Sequence, residues 1–313
     1  MAMNNQLYPV DRLLSGYNLA MAGIWSMAWS IWSWAPVLVA AHAAAACLPA
    51  LLRRTTEHSR PFRPFRQLYP MFWMPAFWAE VDFVRRCLHS GGHDAFVLKL
   101  EAALLHVHPH MLWMPHMHQI WLSEILYGSY LVYLLALVVP VLWLTVRART
   151  DDLMTALFRM MAVFGFCFLF FAVFPVDGPQ HTGAVFEGPN QHAFLARLVT
   201  LVARGNGESL GAAFPSSHVA GAVTVAWIAR SYLPRWAFYV LAAEATGVFL
   251  STFYTQQHYA IDAIFGAALA LAVQRFAVPA LLSALQERPE GVPGIPALPP
   301  PLPATLLGRE VRP

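Results

Sequence analysis

Long apolar runs recur along this chain at nearly regular intervals, several approaching the ~20 residues that a helix needs to cross roughly 30 Å of hydrocarbon. Only 12% of the 313 residues are charged and 58% are hydrophobic, far from the usual quarter charged of soluble domains. The sequence therefore predicts an all-α, polytopic membrane helical bundle. Residues 17–52 are too long for one crossing, and Trp34-Ala35-Pro36 suits a hairpin between two. Further spans are predicted at 68–88, 120–146, 153–174, 217–233, 235–254 and 258–279, eight in all. The segment 68–88 is the ambiguous one, because Glu80, Asp82, Arg85 and Arg86 follow its apolar half.

The expected organisation is an N-terminal membrane hairpin with a basic loop (1–66), a membrane-embedded catalytic core of six helices (67–285), and a proline-rich, disordered tail (286–313). The N-terminus lacks the charge, apolar stretch and cleavage pattern of a signal peptide, so the first run reads as a retained span.

Arginine placement predicts orientation. If 68–88 crosses, the five arginines of 53–66, Arg147, Arg149, Arg230, Arg235 and Arg275 share one face, the cytoplasm. The opposite, non-cytoplasmic face then receives 89–119, 175–213 and the turn at 254–258. A formal charge of +3 with scattered arginines excludes nucleic acid as a partner. Cys47, Cys87 and Cys167 lie far apart in no metal spacing and read as buried thiols.

Two segments carry chemistry: GAAFPSSHVAGA at 211–222 and STFYTQQHYAIDAIFG at 251–266, each opening an apolar span. One span out and one back separate them, which returns both helix starts to the same face and lets His218 meet His258. Asp262 follows His258 by four residues, hence on the same helical face and able to accept its ring N–H. A histidine fixed in one tautomer presents its other nitrogen, as a phosphoryl-attacking nucleophile requires. His218 would protonate the leaving oxygen. Ser216, Ser217 and the first helical amides after Pro215 form a natural cradle for an anionic phosphate, although serines also serve as plain N-caps. Asp177 and His181, just after a span, face the same site as headgroup-pocket candidates, or form an ordinary Asp-Gly-Pro turn.

Pro215-Ser216-Ser217-His218, and Ser251 followed by His258 and Asp262, resemble the second and third motifs of the type 2 phosphatidic acid phosphatase superfamily. The wording is most similar to the branch that contains inositol phosphorylceramide synthases. The resemblance covers about 120–280 and implies a six-helix core, His258 as nucleophile, Asp262 as its support and His218 as general acid, with Ser251 among the substrate contacts. Thr252 stands where the superfamily's third motif usually has arginine, and Ser217 where the second has glycine. Arg53 with Arg60-Pro61 matches the first motif, but in the eight-span topology it lies on the opposite face.

A phosphomonoester carries close to two negative charges and a phosphodiester one, so the missing arginine favours diester chemistry, unless Lys99, Arg197 or Arg204 folds inward. The expected function is a membrane phosphotransferase that moves a phosphorylated headgroup from a phospholipid donor to a lipid alcohol through a phosphohistidine. The alternatives are a lipid phosphate phosphatase with water as acceptor, and a non-catalytic metal-binding membrane protein.

The run HVHPHMLWMPHMH places His106, His108, His110, His116 and His118 together. With no Glu or Cys ligand in a familiar spacing, and with proline breaking the helical register, it reads as an interfacial segment. No metal and no cofactor are expected.

Overall fold

The computed structural model describes residues 7–56, 63–117, 119–183, 192–206 and 209–285, and among them it is helical without a strand. Its helices are α1 (Pro9–Met27), α2 (Ala35–Thr56), α3 (Arg63–Leu88), α4 (Asp94–Leu105), α5 (Pro109–His116), α6 (Ile120–Val146), α7 (Thr150–Val173), the single turn α8 (Pro179–Thr182), α9 (Phe194–Asn206), α10 (Ser217–Tyr232), α11 (Arg235–Tyr254) and α12 (Ala260–Ala272). One π turn at Val273–Ala277 continues α12 into α13 (Val278–Leu285).

Helices occupy all eight expected span positions. Five stretches are by themselves long and apolar enough to cross a bilayer: Ala35–Leu52, Ile120–Val146, Thr150–Val173, Arg235–Tyr254 and Ala260–Leu285. The chain is thus an integral, multi-pass membrane protein. Lipid-facing apolar side chains, among them Leu135, Leu142 and Val146 of α6, remain exposed as hydrocarbon solvent permits. The tail from 286, together with Arg60, His118 and the side chain of Arg204, lies outside the described residues.

The first hairpin sits earlier than expected: α1 begins at Pro9, and its turn falls at 28–34. The polar residues at the start of α1 are satisfied inside the fold. Proline at the first helical position suits a helix start, and Asp11 accepts the Tyr8 N–H at 2.8 Å. The same buried carboxylate pairs with Arg66 and accepts the Tyr69 hydroxyl. A second polar network joins α1, α2 and α3. His42 bridges Asn18 at 2.9 Å and Glu80 at 2.7 Å, and the Trp25 indole N–H also donates to Glu80. Buried polar groups cost free energy unless paired, so these contacts permit α3 to carry acids into the bundle.

At the centre α10 packs against α6, α7, α11 and α12. Ala220, Gly221, Ala222, Ala226 and Ala229 give it a small-residue surface that lets neighbouring backbones approach, the usual basis of helix association in lipid. Pro234 ends it, with Leu233 already extended.

Candidate active site

Three local devices build the site. Ser216 caps α10, its hydroxyl accepting the Val219 N–H at 3.4 Å, while its own N–H donates to the Asp262 carbonyl at 3.0 Å. A Cβ on Gly266 would meet the Ser216 carbonyl at 2.4 Å, so only glycine lets α12 lie this close to the Pro-Ser-Ser-His turn. The third device is a lone parallel bridge between Val176 and Ala212, in which Ala213 N–H donates to Val176 O at 2.9 Å. Beside it Gly178, at φ +91°, adopts a conformation that a side chain would disfavour, and a Cβ there would stand 3.3 Å from the Gln257 carbonyl.

These devices bring His218 and His258 together edge to face, with ring centroids 5.7 Å apart. His218, the second residue of α10, is enclosed by aromatic rings. Tyr130 stacks on it at 4.8 Å, Tyr133 tilts against it at 5.0 Å, and Trp78 meets it edge-on at 6.2 Å. Its Nδ1 is buried without a hydrogen-bond partner. Packing, rather than a carboxylate, holds this ring.

The expected His258–Asp262 hydrogen bond needs correcting. The Nδ1 nitrogen of His258 donates to the Ala213 carbonyl at 2.9 Å, and the Asp262 carboxylate lies 3.6 Å away. Asp262 turns instead to its own helix, where Oδ2 accepts the Tyr259 N–H at 2.9 Å. His258 lies in the bend just before α12 and not on it, so the two residues share no helical face, and Asp262, the third residue of α12, is well placed to cap the helix start. A carbonyl can only accept, so Nδ1 carries the proton and Nε2 keeps the lone pair. The tautomer is the one expected, through a different partner.

Both histidines line a cavity of about 570 Å³. Its polar end includes Asp177, Gln180, His181, Ser217 and Gln257, and its apolar wall is built from α3, α6 and α7 with Met74, Leu134, Leu137, Phe164 and Phe168. Ser216 and Ser251 are fully buried and are not among the lining residues. Ser251 donates to the Val248 carbonyl at 2.9 Å, back along its own helix.

The Asp177 carboxylate is already engaged. Arg85 binds it through Nε at 2.9 Å and Nη2 at 2.7 Å, and the 177–178 turn is pinned by Asp94, which accepts the Asp177 and Gly178 amides at 3.0 and 2.8 Å. Lys99 and Arg197 are exposed and do not line the cavity. Among the described residues, Arg85 of α3 reaches the cavity-lining Asp177 and is neutralised by it. In place of a motif arginine, the carbonyl of Thr252 accepts the N–H groups of Gln257 and His258 at 3.0 Å each, shaping the turn that carries the histidine.

The histidine run has a carboxylate after all. Glu101 of α4 reaches His108 Nδ1 at 2.7 Å and His110 Nδ1 at 3.5 Å through Oε2. Its Oε1 accepts the first two amides of α12, Ala260 at 2.7 Å and Ile261 at 3.3 Å. Burial would raise its pKa, but the His110 and His108 imidazoles facing it outweigh that and leave it below the usual carboxylate range. No familiar ligand spacing marks it: α4 ends at His106, whose φ is +58°, and the chain beyond it returns His108 and His110 to Glu101. The other participants that sequence reasoning missed, Trp78, Tyr130, Tyr133, Arg85, Asp94 and Ala213, sit on elements distant in sequence or act through backbone. For most of them no local pattern exists to be read.

Compared with known proteins, the chain matches the sequence pattern of one family, described as the PAP2 superfamily, over residues 95–276, from the start of α4 into the π turn after α12. Neither a curated protein nor a solved structure gives a match. The matched stretch contains both histidines, Asp262 and the loops that orient them, and it covers more than half the chain: this protein belongs to the PAP2 superfamily, whose members are phosphatases or phosphotransferases.

Proposed function

We propose that the protein transfers a phosphorylated headgroup from a glycerophospholipid to a lipid alcohol through a phosphohistidine at His258. The reaction catalysed by inositol phosphorylceramide synthases is the nearest description. In the first half-reaction His258 Nε2 attacks phosphorus, the bond from phosphorus to the glycerol oxygen breaks, and His218 delivers a proton to that oxygen, releasing diacylglycerol. In the second, His218 takes the proton of the acceptor hydroxyl, whose oxygen attacks phosphorus as the P–N bond breaks. Ser217 and the first amides of α10 would supply donors to the developing phosphoryl charge, and an apolar site makes such contacts count for more.

The observation that carries this reading is the pair of histidine rings 5.7 Å apart at the polar end of a cavity whose other walls are apolar. An amphiphile with a phosphorylated head has that distribution of surfaces. The choice of a diester over a monoester rests on charge. Thr252 occupies the place of a motif arginine, and Arg85 is already matched by Asp177. A dianionic monoester would find little fixed positive charge there. Following the arginine distribution, the site faces away from the cytoplasm.

Product analysis with the purified protein in mixed micelles tests the proposal. A labelled headgroup should appear on the lipid alcohol in step with diacylglycerol. Free phosphate or free headgroup phosphate in place of a new lipid would assign water as the acceptor and make the enzyme a phosphatase.

A further inference from the structure

Three side chains outside the catalytic cavity converge without any role in the proposed chemistry. Glu101, His108 and His110 each offer a ligand atom, and these atoms all lie within 4.8 Å of one another. Glu101 and His110 are fully buried, whereas the His108 side chain is about a third exposed. The His110 ring is the decisive part. Neither of its nitrogens has a hydrogen-bond partner, although the residue is held on both sides, with Tyr259 packed edge-on at 5.0 Å and its own carbonyl accepting from Gln256 at 3.0 Å. A fully buried imidazole with both nitrogens unsatisfied costs free energy that a ligand would recover.

We propose that Glu101, His108 and His110 bind a divalent transition metal, zinc by the chemistry of the set, and that the ion clamps the start of α12. Two imidazoles and one carboxylate are borderline donors suited to zinc, and three protein ligands leave a fourth position that the exposed edge of His108 opens to water. Ligand atoms around tetrahedral zinc stand about 3.3 Å apart. The observed separations of 2.7 Å (Glu101 to His108) and 3.5 Å (Glu101 to His110) bracket that value.

The division of labour within Glu101 gives the site its consequence. Oε2 faces the imidazoles, while Oε1 holds the Ala260 and Ile261 amides at the head of the helix that carries Asp262. A metal on Oε2 would fix the carboxylate, and through it the helix start that follows His258. The ion is a fastener there and takes no part in phosphoryl transfer, whose nucleophile and acid are both side chains.

The test uses the full-length protein in detergent, purified without a histidine tag and stripped with a chelator. Cobalt(II) titration should give the visible bands of a tetrahedral site, saturating at one ion per chain and displaced by zinc. The melting temperature should rise with free zinc, since the ion binds only the folded state. His108→Ala removes a partly exposed ligand and leaves the Glu101 cap in place; it should weaken cobalt binding by more than about 100-fold, the upper end of what even an outer-sphere partner costs. In that variant the melting temperature should no longer respond to zinc. His110→Gln should behave alike. A stripped wild-type protein that shows no tetrahedral cobalt bands and melts identically with and without zinc would overturn the proposal. So would His108→Ala binding cobalt as tightly as wild type, which would put the ion elsewhere. Lipid turnover enters none of these readouts, so they stand or fall apart from the phosphotransferase reading.

Discussion

The Nδ1 nitrogen of His258 donates to the backbone carbonyl of Ala213 at 2.9 Å. That bond ties the imidazole to the loop before α10, the same loop that leads into His218, so the two histidines share one rigid support. It assigns the lone pair to His258 Nε2 without help from a carboxylate.

Removing either imidazole should therefore stop the reaction without unfolding the protein. Positioned proton transfer is worth ~10²–10⁴-fold, and loss of a covalent nucleophile costs more. His258→Ala and His218→Ala are each expected to fall at least that far in headgroup transfer, while their melting temperatures stay close to wild type. Near-normal turnover in either purified variant would eliminate the two-histidine mechanism.

Asp262 is expected to act more on the helix than on the ring, since its Oδ2 caps the Tyr259 amide and stands 3.6 Å from His258. Asp262→Asn retains an acceptor and should keep part of the activity with little loss of stability. Asp262→Ala should lose about 0.5–2 kcal/mol as the cap disappears. Denaturant melts beside rates for both variants decide the matter, and a null Asp262→Asn with normal stability would restore the carboxylate to a direct role.

Gly266→Ala should be more harmful than a single methyl suggests. Its Cβ would meet the Ser216 carbonyl at 2.4 Å, and both partners are backbone of packed elements. Overpacking of this kind typically costs about 1–3 kcal/mol. Because the strain falls on the turn that positions His218, activity should drop further than stability, which paired melts and rate measurements would reveal.

Tyr130 stacks on His218 at 4.8 Å. If the ring face is what matters, Tyr130→Phe should remain near wild type and Tyr130→Ala should lower kcat by about tenfold through a loosened acid. Equal damage from both substitutions would instead implicate the hydroxyl.

Sidedness is open to chemical labelling in a background free of Cys47, Cys87 and Cys167. Gly91, in the exposed α3–α4 connection, replaced by cysteine should react with a membrane-impermeant thiol reagent in intact cells, and Ser231→Cys at the other end of α10 should not. Cysteine at Ser59 should be protected like Ser231. Labelling of Ser59 from the Gly91 side would mean that α3 does not cross, and would bring Arg53 and Arg60 to the catalytic face, favouring phosphomonoester hydrolysis.

By itself the sequence determined the helical membrane class and the meeting of His218 with His258. Span length follows from bilayer thickness, and two helix starts one hairpin apart must return to one face; neither argument needs coordinates. It also located the capping role of Ser216, since capping is local. Only the tertiary structure decided what holds each ring. The Ala213 carbonyl is a backbone atom invisible to any motif, and the rings around His218 come from α3 and α6, whose aromatic residues look no different from the others that face lipid. Glu101 became a partner of His108 and His110 through the bend between α4 and α5, and of α12 across 159 positions. Contacts between distant segments depend on how helices pack, and side-chain periodicity along one helix does not encode the register of another against it.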